Sequence, residues 1–103
     1  MKFDRTPAFR REAARLPQEH LELFKDVVRN HLLPALNAGA HRGETPWPKR
    51  LRIHKLQDHD VYSLTWNFAS PDGRATFSFM ADDQGEPVLV WRRIGSHAIY
   101  HDP

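Results

Sequence analysis

Near its end the chain runs Arg92-Arg93-Ile94-Gly95-Ser96-His97, two guanidinium groups and an imidazole in close succession. Histidine trades protons near neutrality, and an arginine beside it can stabilise the charge of a phosphorane-like transition state. Val88, Leu89, Val90 and Trp91 read as a buried strand feeding this segment, and Gly95 permits a bend that turns His97 onto an open sheet face beside Arg93. A histidine that only hydrogen-bonds a strand end fits the same residues.

A second group of candidates lies upstream. A strand over residues 51–56 puts Leu51, Ile53 and Lys55 on one face and sends Arg52 and His54 toward the other. That placement suits phosphate contacts, and it equally suits a solvated strand flank. The charge distribution sharpens the question. Residues 41–55 hold Arg42, Lys49, Arg50, Arg52 and Lys55 against Glu44, a net +4, whereas residues 56–87 hold Arg74 against six acids, a net −5. A basic block of this kind binds phosphates by Coulomb attraction and counterion release, or merely aids solubility.

Other chemistries find less support. With no cysteine there is no disulfide framework, thiolate zinc site or cysteine nucleophile. His97 and His101 are four apart, with His54 and His59 as further nitrogen donors, but an extended tail would not align them and no glutamate sits between them as a metalloprotease helix requires. Glycine-rich phosphate loops and serine elbows are absent from the sequence. No metal and no cofactor is expected.

The elements that must carry these residues follow from length and periodicity. A chain of 103 residues, 40% hydrophobic and 27% charged, fits one globular domain with one core. It lacks an apolar run near the roughly 18 residues of a membrane span, and its first residues are polar, so a cytoplasmic location is expected. Residues 2–5 suit a short edge strand. Thr6-Pro7 is an N-cap followed by the residue favoured at the first helical position, and Phe9, Ala13 and Leu16 give that helix its apolar side until Pro17 breaks it. Leu21, Phe24, Val28, Leu32 and Ala35 mark a second helix, with Pro34 expected to kink or shorten its last turn and Asn37-Ala38-Gly39 to stop it.

From Lys49 onward the period changes to two, and four strands fit. Residues 51–56 come first, then 61–68, in which Tyr62, Leu64, Trp66 and Phe68 alternate with Ser63, Thr65 and Asn67. Ala69 ends that strand, and Ser70-Pro71-Asp72-Gly73 makes a hairpin to residues 75–81. Asp82-Asp83-Gln84-Gly85 makes another to residues 88–94. The expected architecture is α+β: two N-terminal helices packed on a mainly antiparallel sheet of four or five strands.

The order of two helices and a meander ending in Arg93-Ile94-Gly95-Ser96-His97-Ala98-Ile99-Tyr100 resembles the RelE/ParE toxin superfamily, with a YafQ-like flavour. Tyr62-Ser63-Leu64-Thr65-Trp66 resembles that family's Tyr-x-Leu-x-Tyr central strand. The resemblance covers most of the chain. It implies a type II toxin that cuts messenger RNA on the ribosome without metal and is neutralised by an antitoxin protein. Carried over by position, His97 is the general acid or base, Arg93 the phosphate stabiliser, and Tyr100 or His101 the base-stacking or positioning group. His54 is then a second acid-base partner, and Lys49, Arg50, Arg52 and Lys55 bind the RNA backbone. Where many RelE-like nucleases place an arginine in the central strand, this chain has Ser63. The alternative is a non-catalytic interaction module of the same fold, such as a ParE-like DNA gyrase inhibitor.

Overall fold

The computed structural model describes residues 1–57, 59–67 and 73–103, apart from the side chain of His97. Strand β1, Lys2–Arg5, leads to helix α1, Pro7–Arg15. Thr6 joins them through both functions of its hydroxyl, which accepts the Phe9 N–H at 3.1 Å and donates to the Arg92 carbonyl at 2.6 Å. The first satisfies one of the orphan amides of the helix start, and the second ties that start to the sheet. Helix α2, Gln18–Val27, follows directly after Pro17 and buries Phe24 and Val27.

Pro34 acts one turn earlier than expected. The helical path continues through a π turn, Val28–Leu32, into helix α3, Leu33–Asn37, and Pro34 sits in the first turn of α3 rather than distorting its end. Proline has no N–H for the α-helical ladder, and the widened turn, in which Leu33 N–H reaches the Val28 carbonyl, absorbs the mismatch. The helix stops at Asn37 as expected, with Gly39 in the left-handed region at φ 86°.

The sheet has five strands in the order β1-β5-β4-β3-β2, with β2 at His54–Lys55, β3 at Tyr62–Asn67, β4 at Gly73–Ala81 and β5 at Pro87–Gly95. β1 runs parallel to β5, and every other pair is antiparallel. The turn from β4 to β5 is built by Asp82, whose Oδ1 accepts the N–H groups of Gln84 and Glu86, both at 2.9 Å, while Gly85 takes φ 80°. The expected hairpin at Ser70-Pro71-Asp72, together with Phe68 and Ala69, lies outside the described residues, as does Asp58.

The expected strand over residues 51–56 is corrected. Lys49–Leu51 forms a 3-10 turn, Arg52 follows at φ 48° in the left-handed region, and only His54–Lys55 pairs as a strand. Leu51 is buried beneath that turn, so a single apolar anchor suffices and the alternation of polar and apolar letters around it was not a strand signal.

One face of the sheet packs on the helices. Phe9 and Phe24 meet Trp91, and Trp91 meets Phe77, all with ring centroids between 5.0 and 6.0 Å, in a core completed by Leu32, Leu36, Leu64, Trp66, Leu89 and Ile94. Trp47, from the loop before the 3-10 turn, closes one end against Tyr62 and Phe77. None of the described helices is long and apolar enough to cross a membrane.

A β-bulge interrupts the pairing of β4 with β5. Thr76 pairs with Arg93 and Phe77 with Trp91, leaving Arg92 as the extra residue. The bulge shifts the phase, so that Trp91 and Ile94, three apart, both enter the core. Arg92 and Arg93 are thereby both released from it.

Candidate functional site

The sheet face away from the helices carries the polar alternates of the strands, Ser63, Thr65, Arg74 and Thr76. Strand register arranges them in rows. His54 pairs with Ser63, Ser63 with Thr76, and Thr76 with Arg93, one residue from each of four consecutive strands. The next row joins Thr65, Arg74 and Gly95. Two of the residues singled out in the sequence, His54 and Arg93, therefore end one row, with two hydroxyls between them.

This face is not open at its centre. Ser63, Thr65 and Thr76 are all at most 1% exposed, and the segment after β5 meets Ser63 through Tyr100 and Thr76 through Pro103. That segment is not the extended tail expected from sequence: His97–His101 is a 3-10 turn whose N-cap, Ser96, accepts the Ala98 N–H. Ile99 is buried under it, and the chain then crosses the sheet to Pro103. Buried hydroxyls cost free energy unless they are partnered, and each of the three is. Ser63 hydrogen-bonds the Tyr100 hydroxyl, Thr65 accepts from Arg74 Nη1 at 2.8 Å, and Thr76 donates to the Pro103 carbonyl at 3.1 Å. Arg74 also reaches the Tyr100 hydroxyl at 3.4 Å and sits 6.0 Å from the centre of its ring.

Arg93 is held by a partner that the sequence did not announce. Its Nε and Nη2 donate to the two carboxylate oxygens of Glu12 on α1, at 2.7 and 2.9 Å, and its Nη1 donates to the Asp102 carbonyl at 2.7 Å. The same carboxylate accepts the Ile94 N–H at 3.4 Å, on the part of β5 that extends beyond its pairing with β1. Burial by itself would raise the Glu12 pKa, but the hydrogen bonds from Arg93 and Ile94 and the charges of Arg93 and Arg11 outweigh it and hold the carboxyl below its ordinary value. The hydrogen bond to Glu12 raises Arg93 in turn, so this guanidinium is a permanent cation.

His97 starts the 3-10 turn two residues beyond Gly95, and its side chain lies outside the described set. His54 is exposed on β2, with Nδ1 3.0 Å from the Arg52 carbonyl oxygen. A carbonyl only accepts, so in the neutral ring Nδ1 carries the hydrogen and Nε2 keeps the lone pair a general base needs. Lys49 and Arg50 are exposed on the 3-10 turn beside β3, and Lys55 is 3.2 Å from Asp60 in an exposed ion pair. His101 is exposed, whereas Tyr100 is turned inward onto Ser63.

Arg74 and Glu12 are the residues that sequence reasoning missed. Arg74 was within reach, because the alternation of Ala75 and Phe77 already assigns it to the polar face beside Thr65. Nothing local marks Glu12.

The sequence matches no family model and no curated protein. Among solved structures, a chain of the intact E. coli RelBE toxin-antitoxin complex superposes with a TM-score of 0.55 at 19% identity, over 92% of this chain and 94% of that one. The fold is RelE-like. The solution structure of the conserved hypothetical protein HP0894 from Helicobacter pylori aligns over 95% of this chain and 96% of its own, with a TM-score of 0.43 and 17% identity.

Proposed function

We propose that residues 1–103 form a single RelE/ParE-like toxin domain, YafQ-like in its last strand. In this reading it is the toxin of a type II toxin-antitoxin pair and a metal-independent, ribosome-dependent mRNA endoribonuclease. The carrying observation is the convergence of Arg74, Arg92, Arg93, Tyr100 and His54 on one face of a RelE-like sheet. A face built of cations and hydroxyls has the chemistry to orient a phosphodiester and stabilise charge on it.

In the reaction the ribose 2′-oxygen attacks the adjacent phosphorus while the bond to the 5′-oxygen breaks. His54 Nε2 or His97 takes the 2′-hydroxyl proton, and the other histidine returns one to the departing 5′-oxygen. Arg93, fixed by Glu12, and Arg74 lie against the phosphate oxygens. Lys49, Arg50, Arg52 and Lys55 bind the flanking backbone, and Tyr100 or His101 positions or stacks a base. A cognate antitoxin would neutralise the toxin in the cytoplasm by covering this face.

The test is induction of the protein and of His97→Ala and His54→Ala variants, with transcript ends mapped and the fold of each checked by circular dichroism. New 5′ ends within translated messages, insensitive to EDTA in a purified ribosome assay and lost in the variants, are expected. Growth arrest with intact transcripts and gyrase-linked DNA breaks would replace this reading with the ParE-like one. The internal engagement of Arg93 by Glu12 and Asp102 is the observation on that side.

A further inference from the structure

The cations of the far face are already bound to oxygen, and the oxygen comes from the chain itself. Arg93 Nη1 donates to the Asp102 carbonyl at 2.7 Å, Arg92 Nε to the Pro103 carbonyl at 3.2 Å, and Thr76 Oγ1 to that same carbonyl at 3.1 Å. Two carbonyl oxygens of consecutive residues thus meet two guanidinium groups and a hydroxyl, a donor set that matches the non-bridging oxygens of a phosphodiester. The β-bulge makes the set possible by bringing successive arginines, Arg92 and Arg93, to the same partner segment.

We infer that Thr76, Arg92 and Arg93 form an anion site for a phosphodiester and that the Asp102-Pro103 strap occupies it as an internal competitor, so that ligand binds only when the strap lifts. The inference rests on the RNA reading for the identity of the ligand, and on the geometry alone for the competition. Charge-assisted donors prefer an anionic oxygen to the neutral peptide carbonyl of Asp102, which favours exchange at Arg93. Thr76 is wholly buried beneath the strap, so its hydroxyl reaches a ligand only in the lifted state. Apparent affinity is the intrinsic affinity multiplied by the lifted fraction, which makes strap stability a setting for the site.

The test compares the full chain with an Asp102→Gly/Pro103→Gly variant and with a variant ending at His101. The glycines keep the carbonyls but add backbone freedom that is lost when the strap closes. The probes are a 2′-deoxy-substituted RNA hexamer, which binds without being cut, and inorganic pyrophosphate. Both variants are expected to bind both probes roughly 3- to 10-fold more tightly than Asp102→Asn, the reference that removes the carboxylate charge acting on Arg93 and leaves the strap in place. Arg92→Ala placed in the glycine variant should lower the salt slope of hexamer binding by about 1, a change that a purely structural role would not produce. Equal or weaker binding of pyrophosphate by both variants overturns the strap. Tighter pyrophosphate binding with no hexamer binding in any form leaves the strap standing and removes the RNA reading.

Discussion

Glu12 holds Arg93 in a two-pronged ion pair across the gap between α1 and the free end of β5, with hydrogen bonds of 2.7 and 2.9 Å and both side chains less than a third exposed. Such a pair fixes the direction of the guanidinium as well as its charge, because three of its N–H groups are committed to stated acceptors. The arginine is thereby pre-oriented toward the far face of the sheet.

Removing the carboxylate should therefore be costly. Glu12→Ala is expected to lower stability by about 1.5–3 kcal/mol, since it leaves a partly buried guanidinium and the Ile94 N–H without their acceptor. Urea unfolding of the two proteins measures the difference. By contrast, Lys2→Ala breaks an ion pair to Asp82 in which the lysine is 68% exposed, and it should leave the urea midpoint nearly unchanged.

The same pair sets an acid-side pH dependence. The folded-state pKa of Glu12 lies below its ordinary value of 4.5, so its contribution is fully present above that pH and is lost as pH falls through the depressed value. Urea midpoints of the wild type and Glu12→Gln should differ by a constant amount near neutrality and converge below pH 4.5. A gap that stays constant down to the acid transition would contradict this.

The buried Ser63 hydroxyl pairs with that of the half-buried Tyr100, and their energetics should be non-additive. Tyr100→Phe leaves the Ser63 hydroxyl wholly buried without that partner, at an expected cost of about 1–3 kcal/mol. Adding Ser63→Ala should recover part of the loss, because no hydroxyl then remains to be satisfied. A double-mutant cycle from thermal or urea unfolding reads the coupling.

Gly73 is held by close approach. A Cβ there would lie 2.6 Å from Trp66 Cε2, and Trp66 is locked in the core, so Gly73→Ala should destabilise by roughly 1–3 kcal/mol through overpacking. Trp fluorescence during unfolding would show the loss together with a perturbed indole environment.

Much of the frame was legible in the linear chain. Thr6-Pro7, Pro17 and Gly39 punctuate the helices because their backbone chemistry acts locally, and the change of period after Lys49 announces the sheet because burial on one face demands alternation. The polar alternates Ser63 and Thr65 were likewise placed on the face away from the core by pattern alone. Where one apolar residue sufficed, as at Leu51 in its 3-10 turn, pattern misled, because a short alternation carries too little information to distinguish a turn from a strand.

Sequence by itself determined that two helices precede a meander and that a basic, histidine-bearing segment ends the last strand. Tertiary structure decided what those cations touch. Glu12 and Arg93 are 81 residues apart, and Ser63 and Tyr100 are 37 apart, so no local period can reveal either pair. The bulge that releases both Arg92 and Arg93 from the core depends on how β5 matches β4, and the burial of Thr76 depends on a strap laid across the finished sheet. Local chemistry chooses elements, whereas register and chain crossing choose neighbours, and the site is made of neighbours.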